Sequence, residues 1–234
     1  MAPEASAASI RLDSLEAAPT PEAAVRETAM ESVLVAAGEI GYREVSVKSI
    51  LERSGGHRVQ FYEQFASKED CFARAYATWI DRLCVSLLEA AATAPGWEGG
   101  IRAAIVRLFE FATERPAMTR ALLVEGQIAG EPMTARYEAT LERLAAAVDS
   151  VRADIDPAAA PPEATGSFVI GGIASCAAEA LTAGEPSRLW DSLPELMHFA
   201  VGAYLDSEDA EGAFERAHVL LERRRARLAE ETQR

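Results

Sequence analysis

The side chains best suited to recognition chemistry cluster between residues 43 and 68. His57, Arg58, Gln60, Glu63 and Gln64 decorate a short segment that also carries Val59, Phe61 and Tyr62, just after Gly55-Gly56. Arginine pairs best with the guanine edge and glutamine with the adenine edge in a DNA major groove. Arg43 and Lys48 are candidates for phosphate contacts, which position a protein without reading sequence; His57 suits either a DNA contact or a helix cap. Catalytic groupings do not assemble. His57, His198 and His218 are scattered, with no HExxH and no ligand-spaced cysteines beside them. Gly166 to Gly172 holds no GxGxxG or P-loop, and no GxSxG elbow occurs. Acid pairs such as Glu138/Glu142 sit at i,i+4 spacing on a polar face and read as solvated. The expectation is binding rather than catalysis, with no metal and no cofactor.

Composition narrows the class. The chain has 234 residues, 49% of them apolar, enough for a sizeable core. Its net charge of −14 excludes a generally basic coat but not one local DNA-binding face. Cys71, Cys84 and Cys176 are odd in number and widely spaced, so they read as free thiols in a reducing compartment. Apolar runs are broken by charges before ~20 residues, and no basic region precedes an apolar run at the N-terminus. A soluble cytoplasmic protein without a membrane contact is expected. Only Lys48 and Lys68 are lysines, against many arginines, and alanine is abundant; this reads as the coding bias of a GC-rich bacterial genome.

The elements needed to position these residues are helical. Residues 1–20, rich in Ala, Ser, Pro and Glu, read as a flexible arm. Thr20-Pro21 suits an N-cap and first position, and Val25, Ala29, Val33, Ala36 and Ile40 then fall on one helical face ending at Gly41. Ser46 caps a short helix to Ser54, and Gly55-Gly56 separates it from a second short helix over His57–Gln64. That layout is a helix-turn-helix. Ser67 caps a longer helix with Phe72, Ala75, Tyr76, Trp79, Ile80, Leu83 and Leu87 inward, and Thr93–Gly100 reads as a loop. Helices follow at about 101–114, 116–129, 133–153, 163–183 and 187–205, then a polar helix at about 209–231, with a Pro/Ala linker at 156–162. No alternating strand pattern appears, so the fold class is all-α.

The run Gly41-Tyr42, Val45-Ser46-Val47, Ile50, Gly55, Phe61-Tyr62, Phe65 and Ser67-Lys68-Glu69 resembles the N-terminal domain of the TetR family of bacterial transcriptional regulators. The resemblance spans about residues 24–80. It implies a helix-turn-helix three-helix domain at 21–68, a ligand-binding and dimerisation domain at 69–208, and leaves 209–234 as a C-terminal helix and tail. It further implies that Lys68 and the Tyr62 hydroxyl reach phosphates, that the protein dimerises on a double-stranded DNA operator, and that a small-molecule effector releases it as a repressor. Phe61 and Phe65 read as core. Departures from the family pattern are Gly56-His57, Val59-Gln60 and Glu63. Six basic and nine acidic residues give residues 21–70 a net charge of −3. That balance keeps open an alternative, a dimeric helical small-molecule-binding protein that has lost DNA binding; a cofactor-independent enzyme lacks any catalytic constellation.

Two further expectations concern the second half. Gly166, Gly171, Gly172, Ala174, Ser175, Ala177, Ala178 and Ala180 leave a helix with little bulk, and Trp190, Leu193, Met197, Ala200, Val201 and Tyr204 form a stripe on the next. The resemblance implies that these two helices build a four-helix dimer interface. Phe109, Leu122, Met133, Tyr137, Phe168 and Cys176 are expected to line an apolar cavity. With Glu125 and Glu179 nearby, and Arg120 and Arg136 turned to water, its ligand should be neutral or cationic.

Overall fold

In the computed structural model, which describes residues 21–232, the chain is all-α. The helices are α1 (Pro21–Ile40), α2 (Val47–Ser54), α3 (Arg58–Gln64), α4 (Lys68–Thr93), α5 (Gly96–Glu114), α6 (Pro116–Arg120), α7 (Gly126–Ile128), α8 (Glu131–Asp149), α9 (Thr165–Thr182), α10 (Leu193–Gly202) and α11 (Ser207–Thr232). A π-helical turn, Ala121–Glu125, joins α6 to α7. The expected arm and the Thr20 cap lie outside the described residues.

Local chemistry sets the ends of the first helices. The Ser46 hydroxyl accepts the Ser49 N–H at 3.1 Å while the Ser49 hydroxyl accepts the Ser46 N–H at 3.0 Å, a reciprocal cap on α2. Gly55, at φ +68°, closes α2 in the left-handed conformation that glycine adopts without a Cβ penalty. Ser67 accepts the Asp70 N–H at 3.2 Å to start α4, with Glu69 and Asp70 in the first turn where the helix dipole favours acids. His57 precedes α3 but makes no side-chain cap bond.

α1, α2 and α3 pack around Val33, Leu34, Ile50, Phe61 and Phe65, and α4 carries the same core onward through Phe72, Tyr76 and Ile80. α4, α5, α8 and α9 form the larger body, closed by α10 and α11.

Among the differences from the sequence reading, the helix expected at about 187–205 is a short 3₁₀ turn, Pro186–Trp190, followed by α10, and three others bear on packing. Trp97–Gly100 belongs to α5 rather than to a loop. The Trp97 indole N–H donates to the Val148 carbonyl at 2.8 Å, and Gly100 lets α5 approach the Ala91 backbone, so tertiary packing overrides weak local propensity. The helix expected at 116–129 is interrupted by the π turn. α11 is polar by composition, yet Ala210, Ala213, Ala217 and Leu221 give it a buried seam.

Candidate DNA-binding face and inner cavity

The turn Gly55–His57 presents α3 on the outside of the three-helix unit. Phe61 and Phe65, ring centroids 5.3 Å apart, anchor it from beneath and are buried, as the sequence reading had them. His57, Arg58, Gln60 and Tyr62 are all exposed, together with Val59 and Glu63; His57 and Gln60 border a groove against α1, on the opposite flank of the helix from Tyr62. The Arg58 guanidinium lies 5.6 Å from the centre of the Tyr62 ring. Arg43, on the short turn before α2, and Lys48 on α2 are exposed too; Lys48 lies 3.6 Å from Glu52. Lys68 differs from the others. Its ammonium is drawn in, donating to the Tyr42 carbonyl at 3.4 Å and lying 4.8 Å from the centre of the Tyr42 ring. The surface thus offers basic, amide and hydroxyl groups, with Glu44, Glu52 and Glu63 exposed beside them.

A second feature lies inside the body. A partly open cavity of about 80 Å³ lies between α4, α5, α8 and α9, lined by Leu83, Cys84, Ile105, Tyr137, Leu144 and Ile173 among others. Burial pushes the Tyr137 hydroxyl and the Cys84 thiol above their usual titration ranges, so both are neutral. No charged side chain lines it.

Only Tyr137 of the six residues expected to line the cavity does so. Phe168 points outward, 71% exposed. Phe109 is spent against Trp190, ring centroids 5.8 Å apart. Leu122 and Met133 are buried in core packing, and Cys176 sits 3.5 Å from the Ser192 hydroxyl near the surface. The physical reason is that α5 and α9 are apolar on more than one face, and Phe109, Phe168 and Cys176 fall on faces turned away from the cavity, while Leu122 and Met133 pack into the core from the π turn and the start of α8. The charge argument also changes. Glu125 is 5% exposed and faces the N-terminal unit, and Arg120 pairs with it at 2.9 Å instead of facing water. Arg136 does reach the surface, 2.8 Å from Asp81. Nothing at the cavity wall favours a cation.

The expected dimer stripe is corrected as well. Trp190, Leu193, Met197, Ala200, Val201 and Tyr204 are all buried within the chain. Gly166 is also spent internally: a Cβ there would lie 2.7 Å from the Ala145 carbonyl oxygen. What α9 and α10 leave uncovered is a different face, Phe168, Gly172 and Ser175 on one helix and Phe199 and Gly202 on the other. A Cβ at Gly172 would sit 3.4 Å from the Phe199 ring. α9 is long and apolar enough to cross a bilayer, with a third of it buried in the fold. Among the described residues no group of three or more His, Cys, Asp or Glu side chains could hold a metal ion.

No protein-family model matches the chain, and no curated protein sequence matches it. Solved structures do resemble its fold. The fatty acid degradation regulator FadR from Bacillus halodurans superposes with a TM-score of 0.65 at 12% identity, over 80% of this chain and 97% of that one. A TetR family transcription regulator from Marinobacter aquaeolei gives 0.62 at 18% identity, over 77% and 95%. A γ-butyrolactone receptor, ArpA-like, gives 0.61 at 16% identity, over 85% and 98%. Over most of its length the chain therefore has the all-helical fold of TetR-type regulators.

Proposed function

We propose that the protein is a dimeric, cytoplasmic DNA-binding transcription regulator whose operator affinity is lowered by a small apolar molecule, most simply a repressor. The observation that carries this reading is α3. It is braced on two buried phenylalanines, capped away from α2 by a left-handed glycine, and exposes Arg58, Gln60 and Tyr62 together. A short polar helix so held is what a major groove admits. The proteins similar in fold are transcription regulators, which supports the same reading.

In this scheme residues 21–68 read DNA and residues 69–208 hold the effector and the dimer contact. The cavity wall is uncharged, so the effector is neutral and largely apolar. At about 80 Å³ the cavity is smaller than the ~300–1,000 Å³ of a drug-sized ligand site. Binding a larger molecule must therefore part the helices, which is how preferential affinity for one of two arrangements arises.

A second reading rests on a specific observation. Glu44, Glu52 and Glu63 are exposed among the basic groups, in a segment of net charge −3. A helical ligand-binding protein without DNA affinity would tolerate that. Selection of bound fragments from random double-stranded DNA by the purified protein separates the two. A recurring pseudo-palindromic fragment is expected; no enrichment at low salt establishes the second reading.

A further inference from the structure

Glu125 is a buried carboxylate with no part in base reading or in the cavity wall. An ionised group out of water is costly unless it is paired and hydrogen-bonded. Both of its oxygens are engaged. One accepts the Tyr42 backbone N–H at 2.8 Å, and the other meets the Arg120 guanidinium at 2.9 Å. The same guanidinium donates to the Gly38 carbonyl at 2.7 Å. Gly38 lies in the last turn of α1, and Tyr42 opens the short turn leading to α2, so one carboxylate ties the π turn to the α1–α2 junction of the DNA-reading unit. Tyr42 in turn accepts Lys68 on its carbonyl. The approach is close: a Cβ on Gly38 would collide with the Ala117 backbone.

The other side of the same turn belongs to the cavity. Leu123 lines it, and Leu123 and Glu125, two residues apart, project to opposite sides of a helical turn. On either side of this pair, the Tyr76 hydroxyl donates to the Leu122 carbonyl at 2.9 Å, and Gly126 seats directly on the Tyr76 ring. A π turn holds one residue more than an α turn allows and can relax by releasing it; such turns recur at functional sites.

We propose that Glu125 is the positioning residue that fixes the DNA-reading unit on the body, and that filling the cavity acts on DNA by displacing Leu123 and withdrawing Glu125 from Tyr42 and Arg120. The proposal rests on the regulator reading above. Withdrawal leaves a buried N–H and a guanidinium without their partner, so partial release is disfavoured and the link behaves as made or broken.

The test uses the full-length protein and two readouts. Ala104→Leu, or Ala174→Val should the first not fold, fills the cavity from within and stands in for a bound molecule. Glu125→Ala cuts the link directly. Each is expected to speed amide hydrogen exchange at Tyr42 by at least about tenfold, while amides of α10 keep their parental rates. The double variant Ala104→Leu with Glu125→Ala should exchange no faster at Tyr42 than Glu125→Ala alone. Each single variant should also bind the selected DNA fragment at least about tenfold more weakly. A folded cavity-filled protein with parental exchange at Tyr42, or a double variant whose effects multiply, overturns the proposal. If selection yields no DNA, the regulator reading fails on its own, and the exchange measurement still decides the link.

Discussion

At the scale of single residues, the candidate DNA contacts on α3 and at the start of α4 divide by what they can reach. Arg58 can form two hydrogen bonds to one guanine edge, so its loss changes sequence preference. Lys68 acts as a point charge, and its ammonium already rests on the Tyr42 carbonyl, which aims it without burying it fully. Arg58→Ala is expected to cost roughly 1–3 kcal/mol at one base position and little elsewhere. Lys68→Ala should weaken binding alike for all sequences and reduce the slope of log affinity against log salt by about one. Anisotropy titrations of single-base operator variants at several salt concentrations check both. Identical profiles for the two variants would mean that α3 is not the reading helix. The pairing of Arg58 with the Tyr62 ring is a surface contact, about 0.5–1 kcal/mol, and is readily exchanged for a base edge.

At the scale of elements, glycines report which helices touch. A Cβ on Gly126 would enter the Tyr76 ring, whereas one on Gly171 meets nothing within 4 Å inside the chain. Gly126→Ala should therefore destabilise by about 1–3 kcal/mol or more through overpacking. Gly171→Ala should be neutral or stabilising by up to about 1 kcal/mol in the monomeric fold, since glycine is a poor helix former. Denaturant unfolding measures both, and equal effects would contradict the packing described. The same contrast explains what could be read in advance. The caps at Ser46 and Ser67, the glycine closing α2, and the anchors Phe61 and Phe65 are local or patterned features, so they were legible. Glu125 was not: its partner Tyr42 lies 83 residues away, and a π turn leaves no mark in apolar spacing. The cavity wall was misjudged because α9 is apolar nearly all round, and periodicity cannot choose among apolar faces.

At the scale of the whole molecule, α9 and α10 end with their best-matched surface unused. Their inward stripes are consumed by the chain's own core, yet Phe168 at 71% and Phe199 at 48% remain exposed, with Gly172 and Ser175 beside them. Two exposed aromatic rings on adjoining helices, around small residues that allow close approach, form the kind of patch a monomer rarely leaves in water. A second copy related by a two-fold axis would meet the same patch with itself, aromatic against small. Reading a pseudo-palindromic site depends on that pairing, because the second α3 then binds at a high effective concentration. Phe168→Glu combined with Phe199→Glu should therefore yield a folded monomer, since four carboxylates would be placed in one desolvated contact. Sedimentation at micromolar concentration should show half the parental mass. Affinity for the selected operator should fall by roughly 10²-fold or more, while affinity for a half-site stays near the parental value. A parent that sediments as a monomer, or a double variant that remains a dimer, would place the pairing surface elsewhere, and the groove between α5 and α11 would be the next face to vary.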